Sequence, residues 1–117
     1  MSENNLEYTL NKIAFDIVNE KILGENEISK LLGVLSNDGV YAMWVYAKSD
    51  KKVDGNEVMK KFEPLFKVVY PDLNLQILNY ENFFQNIAGD LSSLLFFKEL
   101  FEKVLIYARY HAKAMGE

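Results

Sequence analysis

The stretch "LGVLSNDGVYAMWVYAKSD", Leu32 to Asp50, decides the fold. Asn37, Asp38 and Gly39 lie between two apolar runs, a placement that serves either a β-hairpin or a tight link between two helices. On the N-terminal side Ile28, Leu31, Leu32 and Leu35 keep steps of three and four, and in–out alternation fails. On the C-terminal side the run Val40 to Ala47 does not alternate either, and its alanines and methionine favour a helix over a strand. The stretch therefore reads as helix, turn, helix, with Asn37 or Asp38 as the N-cap of the second helix, accepting from its orphan backbone N–H groups.

Working outward, Leu6, Leu10, Ile13, Ala14, Ile17 and Val18 form one face of a first helix that ends near Gly24. Tyr8, Phe15 and Ile22 add a second line at steps of seven, wider than one core contact needs. After the polar cluster "KSDKKVDGN", Val58, Phe62, Leu65, Phe66 and Val69 share a helical face that Pro71 closes, with Pro64 inside it predicting a kink or break near Glu63. The segment "DLNLQILNY" suits an extended connector, a short strand or a helical turn. A short helix from Tyr80 to Ala88 then leads through Gly89 to a last helix, Leu91 to Met115. Lys98 with Glu102 and Glu99 with Lys103 are spaced for ion pairs on its solvent side. The expected fold is all-α, a single compact bundle of about five to six helices forming one domain over residues 1–117.

A chain of 117 residues buries roughly 65% of its unfolded surface in one core without a covalent staple. The absence of cysteine excludes disulfides, thiol nucleophiles and thiolate metal sites, and suits a reducing compartment. No apolar run reaches the roughly 20 residues that span a bilayer, and Met1 to Leu10 is unlike a targeting signal, so the expectation is a cytoplasmic protein with no membrane contact. Apolar residues make up 50% of the chain and aromatics 14%, more sticky surface than so small a domain readily hides, so part of it is expected to meet a partner.

The net charge of −4 argues against free, non-specific binding to nucleic acid. The charge is unevenly spread, however. Residues 1–47 hold seven acids against Lys12, Lys21 and Lys30, whereas residues 48–67 hold six lysines against four acids. Lys48, Lys51 and Lys52 follow the third helix, where cations meet the negative end of a helix dipole. Joined to Lys60, Lys61 and Lys67, they also make a stripe able to track a phosphate backbone. Trp44, Tyr41 and Tyr46 suit a platform for stacking bases, although aromatics at helical spacing beside Val40 and Met43 favour the core.

Catalytic chemistry has little footing. His111 is the one histidine, and its helical neighbours Tyr107, Ala108 and Met115 include no carboxylate, which favours a packed or surface role. No arrangement of the seventeen acids singles out a catalytic pair, and the six glycines form no phosphate-cradling loop. The expectation is no enzyme, no cofactor, no metal and no small-molecule substrate.

Three stretches, "NKIAFDIVNE", "ISKLLGVLSNDGVYAMWVYAKSD" and "LLFFKELFEKVLIYARYHAKAM", together about half of the chain, resemble a known family in order and near spacing. That family is the small all-helical subunit of type III CRISPR RNA-guided effector complexes, with the type III-B (Cmr) version most similar and the type III-A (Csm) version the alternative. Arg109 keeps one basic position of the family's last helix. The family pattern has tryptophan where Tyr107 stands, a second basic residue at Tyr110 and phenylalanine at His111. The resemblance implies a non-catalytic structural subunit in antiviral defence, stacking in several copies and lining the channel of guide RNA and target RNA. Its implied partners are the large and backbone effector subunits and further copies of itself. Arg109 and Lys113 on the last helix then join the six lysines as candidate RNA contacts. A small helical adaptor that dimerises through its first and last helices, without touching nucleic acid, is the reading from another class.

Overall fold

In the computed structural model, which describes residues 3–116, the order of elements is α1 Glu3–Asn19, α2 Glu25–Asp38, α3 Val40–Ser49, α4 Gly55–Val69, α5 Tyr80–Ala88 and α6 Leu91–Ala114. A single 3₁₀ turn, Leu75–Ile77, interrupts the link from α4 to α5. The fold is an all-α bundle, as the periodicities predict. Met1, Ser2 and Glu117, the ends of the expected 1–117 domain, lie outside the described residues. No helix is long and apolar enough to cross a membrane among the described residues.

The chain leaves α1 earlier than Gly24, and local hydrogen bonding explains why. Lys21 adopts a left-handed conformation (φ 57°), its N–H bonds to the carbonyl of Val18, and the N–H of Ile22 bonds to that of Ile17. These two bonds satisfy carbonyls that a helix end leaves orphaned, and they fold Ile22 back against the core. The second line of α1 therefore splits. Ile22 packs inward, while Tyr8 and Phe15 stay exposed.

The opening stretch is helix, turn, helix, but its cap differs from the expectation. Asn37 and Asp38 belong to the last turn of α2, and Gly39 is at once the C-cap of α2 and the N-cap of α3. Gly39 has φ 99° and ψ −177°, a region open essentially to glycine alone. One residue thus turns the chain, and no side chain is needed to cap α3. Elsewhere the caps are ordinary side-chain acceptors. Asp54, Asn79 and Asp90 accept from the backbone N–H of Glu57, Asn82 and Ser93.

Pro64 does not break α4. It lies on the exposed face, where water can take up the carbonyl that proline leaves unpaired, while the neighbouring Phe62, Leu65 and Phe66 are buried. The ion pairs expected on α6 are also not formed: neither Lys98–Glu102 nor Glu99–Lys103 comes within bridging distance, and Glu102 instead accepts from the hydroxyl of Ser36 at 2.8 Å. This contact ties α6 to α2.

Helix α6 packs against α1, α2, α3 and α5, so it forms the spine of the bundle, and α4 packs on α1 and α3 and meets α6 through Phe62 and Phe66. Helices α1 and α6 run in the same direction, since Phe15 meets His111 edge-on at 5.7 Å and Asn19 and Met115 border one hollow. The core between α4, α5 and α6 is aromatic. Phe66 lies within ring contact of Tyr80, Phe83, Phe84, Phe97 and Phe101, and edge-to-face pairs of this kind add to the gain from burial. The radius of gyration, 13.4 Å, is what a fully collapsed chain of this length takes. The apolar side chains left outside, among them Tyr8, Leu91, Leu95 and Tyr110, are surface of a finished fold.

One junction bears on the site below. Gly55, the first residue of α4, is buried against the end of α3, and a β-carbon placed there would sit 3.3 Å from the backbone of Ala47 and Lys48. The backbones meet with no side chain between them. The loop from Lys48 to Asp54 is closed at its base by this approach, and Val53 is buried beneath it.

Candidate nucleic-acid interface

The candidate cations divide into two groups once their partners are known. Lys48, Lys51 and Lys52 line an open depression of about 550 Å³ together with Val53, Asp54, Gly55 and Asn56. Gly55 and Asn56 belong to the first turn of α4, where backbone N–H groups have no acceptor inside the helix and favour an anion. The carboxylates nearby are occupied. Asp54 accepts from the N–H of Glu57, and Asp50 from the N–H of Lys52. Lys51 and Lys52 are exposed and make no side-chain hydrogen bond or ion pair among the described residues.

The other lysines are differently employed. Lys61 pairs with Glu20 at 2.6 Å, joining α4 to α1. Lys67 donates to the carbonyls of Pro71 and Leu73 at 2.8 and 3.0 Å, closing the chain after α4. Lys60 is exposed beside an α1–α4 groove, in which Lys12 is held by Asp16 at 2.9 Å. On α6, Lys113 is exposed and Arg109 half-buried, on a helix that does not border the depression. The lysines of the stripe are thus not equally available: Lys61 and Lys67 hold the fold, and Lys51, Lys52 and Lys60 are left to meet solvent.

Lys48 belongs to both groups because of a residue that sequence reasoning passed over. The carboxylate of Glu81, on α5, accepts from Tyr41 at 2.5 Å, Trp44 Nε1 at 3.0 Å, Lys48 Nζ at 2.9 Å and Gln85 Nε2 at 2.8 Å. Donation by Tyr41 comes first, with Gln85, Lys48 and Trp44, in drawing its pKa down to about 2. The same hydrogen bond, with burial, raises that of Tyr41. Lys48 Nζ also lies 4.8 Å above the centre of the indole, a favourable place for a cation. Lys48 is therefore a positioned charge at the wall of the depression. Tyr41, Trp44 and Lys48 share one face of α3 at spacings of three and four, which points to a common acceptor. Which of the seventeen acids accepts is a matter of tertiary structure.

Trp44 belongs to the core, as its helical spacing beside Val40 and Met43 favours, and is no stacking platform. Trp44 is only 3% exposed, stacked on Phe84 at 5.3 Å and edge-on to Tyr80. Tyr41 and Tyr46 pack against the core. The depression can hold an anion by charge and backbone N–H groups, but offers no aromatic face of its own. No cluster of histidine, aspartate and glutamate with the geometry of a metal site occurs among the described residues. No protein-family model, curated protein or solved structure matches the chain.

Proposed function

We propose that this protein is a non-catalytic small subunit of a type III, Cmr-type CRISPR effector complex, contributing to target RNA binding through the loop between α3 and α4. The reading rests on the sequence resemblance, which covers α1, the α2–α3 pair and α6. The observation that supports it most directly is the pair Lys51 and Lys52, free of carboxylate partners at the mouth of a depression that borders a helix N-terminus. That arrangement suits a phosphate backbone, whereas an acidic chain with all its lysines paired would not. A single such patch binds weakly. In a stacked array the repeated patches supply avidity, and exposed apolar side chains such as Leu91, Leu95 and Tyr110 supply contacts to neighbours. Isolated protein binds RNA weakly and loses it as salt rises.

Gentle purification of tagged protein from its native host, with identification of bound proteins and RNA, tests this reading. Large and backbone CRISPR subunits with short RNAs sharing one repeat-derived end support it, and the protein list separates Cmr-type from Csm-type complexes. The exposed Phe15 on α1, Tyr110 on α6 and Met115 at the C-cap of α6 favour, as a second reading, an adaptor that dimerises there. A clean dimer without RNA in the same purification supports that one instead.

A further inference from the structure

Tyr8 is an exposed aromatic ring beside an unpaired lysine, and it is not on the helix that holds the tryptophan. Tyr8 of α1, 66% exposed, lines a groove of about 420 Å³ with Thr9, Lys12, Ile13, Asp16, Lys60, Lys61 and Pro64. The buried Ile13 forms its floor and the exposed Pro64 part of its wall. Lys12 and Lys61 are balanced by Asp16 and Glu20, so Lys60 is the cation left over. An apolar floor gives nothing to a purely ionic ligand, and a lysine rim repels a cationic one. The groove suits a ligand with a flat, weakly polar face and a negative charge beside it.

Position narrows the ligand further. Asn56, which lines the Lys51–Lys52 depression, and Lys60 and Pro64, which line the groove, are all exposed and follow one another at steps of four along α4. They form a single ridge of about 12 Å, at 1.5 Å per residue. Depression and groove are therefore successive stations on the outer face of one helix, the first offering charge and the second a ring. We propose that this ridge carries a strand of single-stranded RNA, with a phosphate at Lys51 and Lys52 and a base stacked on Tyr8 beside Lys60. The proposal rests on the RNA-binding function proposed above and adds to it the element that Trp44, being buried, cannot supply. Stacking on a tyrosine accepts any base, so the site is sequence-tolerant.

The test is fluorescence anisotropy of the full-length protein with a labelled, unstructured single-stranded RNA at low salt, on wild type, Tyr8→Phe, Tyr8→Ala and the double variant Lys51→Glu, Lys52→Glu. Matched thermal unfolding curves check that each variant folds, which the exposure of all three positions favours. We expect Tyr8→Ala to weaken binding roughly tenfold, about the worth of one stacked base. Tyr8→Phe, which keeps the ring, is expected to bind like wild type. Photo-crosslinking of RNA containing 4-thiouridine is expected to label the peptide carrying Tyr8. Unchanged binding in Tyr8→Ala, with weakening in the double lysine variant, overturns the stacking site while leaving the RNA-binding function standing. Wild-type protein that binds no RNA, or binding that neither variant alters, overturns both. An equal loss in Tyr8→Phe and Tyr8→Ala overturns stacking in favour of a hydroxyl contact.

Discussion

The indole N–H of Trp44 donates to Glu81 at 3.0 Å across the α3–α5 junction, so the one tryptophan of the chain is anchored at its polar end and stacked at its apolar one. The carboxylate that holds it collects four donors, three of them from α3. Removing its charge should loosen α3 from α5.

The pH dependence of that junction has a definite sign. The pKa of Glu81 lies near 2 in the folded chain against an ordinary 4.5. A depressed carboxylate pKa stabilises the fold fully above the unfolded value and loses that contribution as pH falls toward the folded one. Glu81→Gln is therefore expected to lower the urea midpoint at neutral pH, with the gap from wild type narrowing between about pH 4.5 and pH 2. Trp44 fluorescence reports the unfolding directly. A gap that stays constant through acid would mean that the side chain acts by shape rather than by charge.

Two glycines make opposite predictions. Gly39→Ala should destabilise by about 1–3 kcal/mol, because φ 99° with ψ −177° is strained for any residue with a β-carbon. No steric clash contributes, since nothing lies within 4 Å of the added atom. Gly33→Ala, inside α2 and equally uncrowded, should stabilise by about 0.5–1 kcal/mol through helix propensity. Chemical denaturation of the two variants side by side checks both signs.

The division of the lysines can be tested without RNA. Lys67→Ala removes two hydrogen bonds that close the chain after α4 and should cost about 1 kcal/mol, given the partial exposure of the pair. Lys51→Glu with Lys52→Glu touches nothing in the fold and should change stability by less than about 0.5 kcal/mol. Equal losses in the two variants would contradict the separation of structural from free lysines.

Tyrosine ionisation offers an independent reading of the junctions. Burial, followed by a hydrogen bond to Glu63, pushes the pKa of Tyr80 far up, and the bond to Glu81 raises that of Tyr41. A raised tyrosine pKa stabilises the fold below the unfolded value near 10 and loses that contribution as pH rises past it. Absorbance titration should show Tyr41 and Tyr80 ionising above the ordinary tyrosine value of 10. Replacing Glu63 by Gln should bring Tyr80 down toward the ordinary range.

Sequence periodicity made α1, α2, α4 and α6 legible, because each buries an apolar face whose spacing survives without knowledge of its neighbours, whereas α3 was read from its failed alternation and its alanines and methionine. Where it failed, a local or long-range hydrogen bond decided. The chain left α1 at Lys21 by bonds that no hydropathy pattern announces. The segment after Pro71 took a 3₁₀ turn because Asn74 caps it, although its leucines alternate. The basic stripe was visible as composition, but Glu20 stands 41 residues from the lysine it neutralises. The second line of α1 was visible as more apolar surface than one core contact needs, but a step of seven places Tyr8, Phe15 and Ile22 together without saying which of them another element covers.

The backbone approach of Gly55 to Ala47 has a consequence for how Lys51 and Lys52 meet an anion. A loop tied at both ends and weighted by the buried Val53 has already surrendered most of its conformational freedom on folding. When a phosphate arrives, the side chains alone remain to be ordered, so the entropy lost on association is smaller than for the same two lysines on a free strand. A larger residue at position 55 would hold the charges just as near each other along the chain, yet would set the loop moving, and the patch would keep its charge while losing much of its grip.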